Sequence, residues 1–103
     1  MRNAMQVQIT RPAETDLLEA YVFYEQQQAG IGDYFLDSLY ADIDALVLYA
    51  GIHPKPHGRL HRSLAARFPF AIYYDLQGET ATVVAVLDCR QNPDSITQRL
   101  GRT

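Results

Sequence analysis

From Arg67 to Asp75 the chain reads Arg-Phe-Pro-Phe-Ala-Ile-Tyr-Tyr-Asp, with its large apolar residues on alternate positions. Phe68, Phe70, Ile72 and Tyr74 share one side of an extended backbone, and Ala71, Tyr73 and Asp75 the other. A period of two in aromatic and β-branched residues predicts a strand with one face in a core. Pro69 has no amide hydrogen, so it belongs at the strand's start or on an unpaired edge. A second strand is expected from Thr80 to Asp88, joined through Leu76-Gln77-Gly78-Glu79, where Gly78 can take the positive φ of a tight hairpin turn.

Upstream the period changes. Gln6-Val-Gln-Ile-Thr10 alternates and predicts a short first strand. Thr10 can then cap a helix that carries Pro12 in its first turn, where no amide bond is lost. Glu14 and Asp16 lie there on the favourable end of the helix dipole. Leu17, Leu18, Tyr21 and Tyr24 recur at helical spacing to about Gln28, before Gly30-Ile-Gly32 permits a reversal. A second helix is expected from about Asp33 to Tyr49, with Phe35, Leu36, Leu39, Ile43, Leu46 and Val47 apolar and Gly51 and Pro54 as stops. Two amphipathic helices on a short linker imply an antiparallel hairpin laid on the sheet. Residues 60–64 suggest a further short strand, and Pro93 to Leu100 one or two helical turns. The expected fold class is α+β, an N-terminal helical hairpin on a three- to four-stranded antiparallel sheet. Leu17, Tyr21, Phe35, Leu39, Ile43, Leu46, Phe70, Ile72, Val84 and Val86 are the expected core.

The 103 residues suit one domain spanning 1–103, with residues 1–5 read as a loose end or an upstream start. No run is apolar enough to cross a membrane and no signal peptide is evident, so a cytoplasmic place is the expectation. The single Cys89 excludes an internal disulfide and reads as a small hydrophobe at a strand end. Charge is unevenly spread: residues 1–51 hold two basic and eight acidic side chains, and residues 52–103 seven basic and four acidic. An acidic helical layer and a mildly basic sheet follow from that division. A general nucleic-acid binder would be far more basic. His53, His57 and His61 recur every four residues, but Pro54 and Pro56 keep them off one helix, and no metal or cofactor is expected.

Arg67-Phe-Pro-Phe-Ala-Ile-Tyr-Tyr74, with Val83-Val-Ala-Val-Leu-Asp-Cys-Arg-Gln-Asn-Pro93, resembles the paired strand motifs of the RelE/ParE toxin superfamily. The similarity covers roughly residues 6 to 100 and takes in both helices. It is closer to the ParE, plasmid-stabilisation branch in the Phe-Pro-Phe-x-Ile-Tyr-Tyr strand. The resemblance implies the toxin of a type II toxin–antitoxin system, which inhibits growth by binding and poisoning DNA gyrase. It also implies a cognate antitoxin from the same operon as partner, in a hetero-oligomer or beside a homo-oligomer. Asp88 stands where the family often has His, Gln91 where it has a second Arg, and Asn92 where it has Asp.

The alternative function is a RelE-like, ribosome-dependent mRNA endoribonuclease, whose partners would be the ribosome and mRNA. Cleavage of RNA through its own 2′-hydroxyl needs a base, an acid and a group that stabilises the phosphorane. Arg62, Arg67 and Arg90 are the candidates for such a site, with Tyr73 or Tyr74 as acid; this requires the arginines to converge. Guanidinium groups can grip phosphate bidentately, or dock on an acidic protein surface. For binding an antitoxin or a target, the candidates are Tyr21, Tyr40, Tyr49, Arg59, Arg67, Tyr73, Arg90 and Arg99. A third possibility is a scaffold that binds an antitoxin without toxicity.

Overall fold

The computed structural model describes residues 5–103. Strand β1 (Gln6–Ile9) runs into helix α1 (Arg11–Gln27), and the Thr10 hydroxyl accepts a hydrogen bond from the Ala13 amide at 3.3 Å. Pro12 sits in the first turn, where its missing N–H has no partner to lose. Of the expected loose start, residues 1–4 lie outside the described residues, while Met5 packs against the core.

Gly30, at φ 94°, turns the chain into helix α2 (Ile31–Asp44). Its N-terminus has no cap from its own N-cap residue. Glu25 of α1 takes that place, accepting from the Gly30 amide at 3.0 Å and the Gly32 amide at 2.9 Å. Gly32 is buried, and a Cβ there would stand 2.7 Å from the Tyr21 ring. The second glycine therefore sets how closely the two helices approach. The expected single helix to Tyr49 is interrupted at Ala45. A short helix α3 (Leu46–Tyr49) follows, started by an i→i+3 bond from the Leu48 amide to the Ala45 carbonyl at 3.0 Å.

Strands β2 (His61–Leu64), β3 (Phe70–Gln77) and β4 (Thr80–Asp88) complete a sheet of order β1-β4-β3-β2. β2, β3 and β4 pair antiparallel, and Gly78 at φ 59° makes the hairpin turn. β1, however, pairs parallel with β4, so the sheet is mixed and not wholly antiparallel. Local pattern specifies a hairpin's direction but not that of a strand arriving through a helical crossover.

The sheet is covered on both faces. Leu17, Phe35, Leu39, Ile43 and Leu46 pack from the helices onto Phe70, Ile72, Tyr74, Val83 and Val86. The other face holds Leu60, Ala71, Tyr73, Ala85 and Leu87 beneath Leu100 of helix α4 (Pro93–Leu100). Val84 joins this second cluster, contrary to the expectation that it shares the face of Val86. The reason is a bulge: Tyr73 pairs with Ala85 but Tyr74 with Val83, which leaves Val84 as the extra residue and inverts the alternation. Tyr21 is only half-buried, lying against Gly32 and not in the core.

Candidate functional site

Two of the arginines expected to form a nuclease site, Arg62 and Arg90, have different polar neighbours. Arg90 grips Asp88, Nε to Oδ1 at 3.0 Å and Nη2 to Oδ2 at 2.7 Å, and faces Tyr24 in the helix-side cluster. The guanidinium bonds hold the Asp88 carboxyl below its ordinary range and raise Arg90. Arg62 lies on the other face, beside the Tyr73 hydroxyl and Cys89, with its Nε buried and unpartnered. Arg67 is exposed in the turn before β3. The two tyrosines named as candidate acids are sealed, Tyr73 at 3% exposure and Tyr74 at 0%. Burial pushes both phenols up, which makes them poorer proton donors still.

Tyr74 is instead a structural anchor. Its hydroxyl accepts from the Gly51 amide at 2.8 Å and lies 2.6 Å from His53 Nδ1. His61 stacks on its ring at 4.9 Å and donates from Nδ1 to the His53 carbonyl at 2.7 Å, since a carbonyl can only accept. Desolvation, then the neighbouring His61, lowers the pKa of His53. His57 sits across the sheet, edge-on to Tyr73 at 5.9 Å. The three histidines thus divide between two faces.

Arg99, a binding candidate from sequence, is committed elsewhere. It clasps Asp16 through two 2.7 Å bonds, and Asp16 also accepts from the Val86 amide at 2.9 Å. One carboxylate therefore joins α1, α4 and the part of the β4 edge beyond β1. Asp16 read from sequence only as a helix-dipole acid; no local pattern marks a partner 83 residues away. The Arg59 guanidinium donates to the Thr103 carbonyl at 3.3 Å. A polar cleft of about 480 Å³ opens beside the clasp, lined by Glu19, Asp88, Gln91, Ser95, Gln98 and Arg102.

The apolar residues left in solvent lie on the helical layer and its junction with β2. Leu18, Val22 and Phe23 are exposed on α1, and Tyr34 and Tyr40 on α2. Val47, Leu48 and Tyr49 of α3 follow, with Ile52 and Leu64 beyond. Exposed Glu14, Glu19, Asp33, Asp37 and Asp44 stand among them. Tyr40 and Tyr49 thus keep accessible rings, whereas Tyr73 does not. Exposed apolar and aromatic side chains among charged ones are the ordinary makings of a protein-binding surface.

No protein-family model matches the chain, and no curated protein does. Among solved structures, one chain described as belonging to the chromosomal ParDE TA system from P. aeruginosa superposes with a TM-score of 0.74. The match covers 81% of this chain and 94% of that one, at 17% identity. The fold is the one found there. At that identity the likeness concerns backbone architecture, and the side chains must speak for themselves. No helix among the described residues is long and apolar enough to cross a membrane.

Proposed function

We propose that this chain is the toxin of a ParE-like toxin–antitoxin pair, acting by surface recognition of DNA gyrase and restrained by a cognate antitoxin. The observation that carries the reading is where the accessible chemistry lies. Exposed apolar and tyrosine side chains sit on an acidic helical layer, while the sheet's tyrosines are sealed and its arginines dispersed or paired. A binding activity uses the first and does not need the second. The shared fold with a ParDE chain gives the same direction.

The endoribonuclease reading needs an acid within reach of Arg62, Arg67 and Arg90, and the burial of Tyr73 and Tyr74 argues against it. The test is direct. Purified protein added to gyrase and supercoiled plasmid is expected to accumulate cleaved DNA, with no cleavage of ribosome-bound mRNA. Cut mRNA with intact plasmid would overturn the proposal.

A further inference from the structure

The stretch from Gly51 to Pro56 joins the helical layer to the sheet with little apolar packing of its own. Gly51, Ile52, Pro54, Lys55 and Pro56 are exposed, Ile52 at 73%, and only His53 turns partly inward. What fixes the stretch is polar. The Gly51 amide donates to the Tyr74 hydroxyl at 2.8 Å, and that hydroxyl lies 2.6 Å from His53 Nδ1. His61 Nδ1 donates to the His53 carbonyl at 2.7 Å, and the Arg62 amide to the Pro54 carbonyl at 2.8 Å. Gly51 at φ 99° opens the stretch and Gly58 at φ 65° follows it, conformations that other residues adopt only under strain. A surface segment held by few apolar contacts opens locally once its hydrogen bonds are lost.

The Tyr74 hydroxyl has one proton to give. It already accepts from Gly51, its residue is 0% exposed, and among the described residues the acceptor within reach is His53 Nδ1. The hydroxyl therefore donates to Nδ1, and His53 is held as the neutral tautomer with its proton on Nε2. A second proton on that ring sits on Nδ1 and turns the acceptor into a donor. Two donors then face each other across 2.6 Å, and a buried O–H is left without an acceptor. The groups that face His53 are Tyr74 from β3, His61 from β2, and Asp42 of α2 and Tyr49 of α3, which line with it a cleft of about 310 Å³. Lys55 stands exposed two residues on. Of these Asp42 favours the imidazolium, and its Oδ2 is taken by the Ala66 amide at 3.0 Å. Burial of the ring, and then repulsion from His61, disfavour it.

We propose that Gly51–Pro56 is a proton-operated latch: when His53 takes a proton, its bond with Tyr74 fails and the stretch lifts from the sheet while the ladder beneath stays paired. The device stands on the fold alone and does not depend on the proposed function. Opening withdraws the Pro54 carbonyl from the Arg62 amide and removes His53 from the cleft where Tyr49 and Ile52 stand. Acid thereby changes the accessible apolar surface where the helices meet β2. Linkage fixes the direction. His53 has a lowered pKa when latched and its ordinary value of 6.5 once released, so the latch is closed above 6.5. Below that value, and down to the lowered one, each pH unit favours opening by about tenfold, the effect of one proton.

Amide exchange followed by NMR on the purified chain tests this, with rates converted to protection factors at each pH. The Gly51 and Arg62 amides report the latch, and the ladder amides of Ala85 and Leu87 report the sheet. At pH 7.5 the first pair should be protected about tenfold less than the second, or lower still, through an opening that dilute urea does not promote. Between pH 6.5 and 5.5 their protection should fall by up to about tenfold. His53→Gln offers Tyr74 an oxygen that takes no proton in this range. Protection at pH 7.5 should be kept within a few-fold there, and its pH dependence lost. Tyr74→Phe keeps the ring, leaves Gly51 unprotected at every pH and moves the NMR titration of His53 up toward 6.5. Protection at Gly51 and Arg62 that stays flat from pH 7.5 to 5.5, or a fall that persists in His53→Gln, overturns the latch. Exchange of both amides only together with Ala85 and Leu87, in one urea-dependent opening, also overturns it.

Discussion

Single residues in this protein do more than their local sequence discloses. Asp16 accepts hydrogen bonds from Arg99 and from the Val86 amide, and its side chain is only 10% exposed. Replacing it by Asn keeps one acceptor but leaves a part-buried guanidinium without its counter-charge. We expect Asp16→Asn to lower stability by about 2–3 kcal/mol, measured by urea denaturation. A change below about 0.5 kcal/mol would mean that the clasp carries little of the fold. His53 gives a pH dependence whose sign is fixed. Its folded pKa is depressed, first by desolvation and then by His61, so the unfolded chain binds the proton more readily. The stability from neutral His53 is present above its ordinary value of 6.5 and is lost as pH falls through that value and the lowered one. Its hydroxyl partner Tyr74 and the carboxylate of Asp42 in the adjoining cleft also face this loop. The denaturation midpoint is expected to fall between pH 7.5 and 5, and His53→Gln should flatten that fall.

At the scale of elements, the sequence discloses much of the fold for reasons that can be named. The Thr10 cap, the glycine reversal, the β3–β4 hairpin and the Pro93 helix all rest on local signals, and each is present. What escapes is non-local. The parallel entry of β1 depends on a crossover, the bulge at Val84 on cross-strand register, and the second buried face on α4 folding beneath the sheet. Gly32 is legible as a turn residue but not as the contact point for Tyr21. The candidate site is less legible still. Tyr40 and Tyr49 are accessible, as a binding role needs, but Tyr73 is sealed and Arg90 and Arg99 are paired within the chain. Arginines mark a binding surface in a sequence only until their carboxylate partners are located. The central strand remains the element on which most packing converges. Phe70 meets Tyr24 and Phe35 and is 7% exposed, so Phe70→Ala should cost about 3–5 kcal/mol in denaturant unfolding. A loss under about 1 kcal/mol would contradict the assigned strand facing.

Over the whole molecule, charge and apolar exposure coincide. The acidic first half forms the helical layer that also leaves Leu18, Val22, Leu48 and Tyr49 in solvent. The more basic second half forms the greater part of the sheet and α4, with its interior chemistry used for packing. A molecule arranged in this way presents exposed apolar and tyrosine side chains on its acidic helical layer, as the proposed binding role needs. The measurement that tests the proposed function most directly is controlled expression in a bacterial host without the proposed antitoxin, with DNA and protein synthesis followed by pulse-labelling. On that proposal DNA synthesis is expected to collapse first, and growth to recover when the proposed antitoxin is supplied. An early collapse of translation, or unchanged synthesis of both while the protein accumulates, would contradict it.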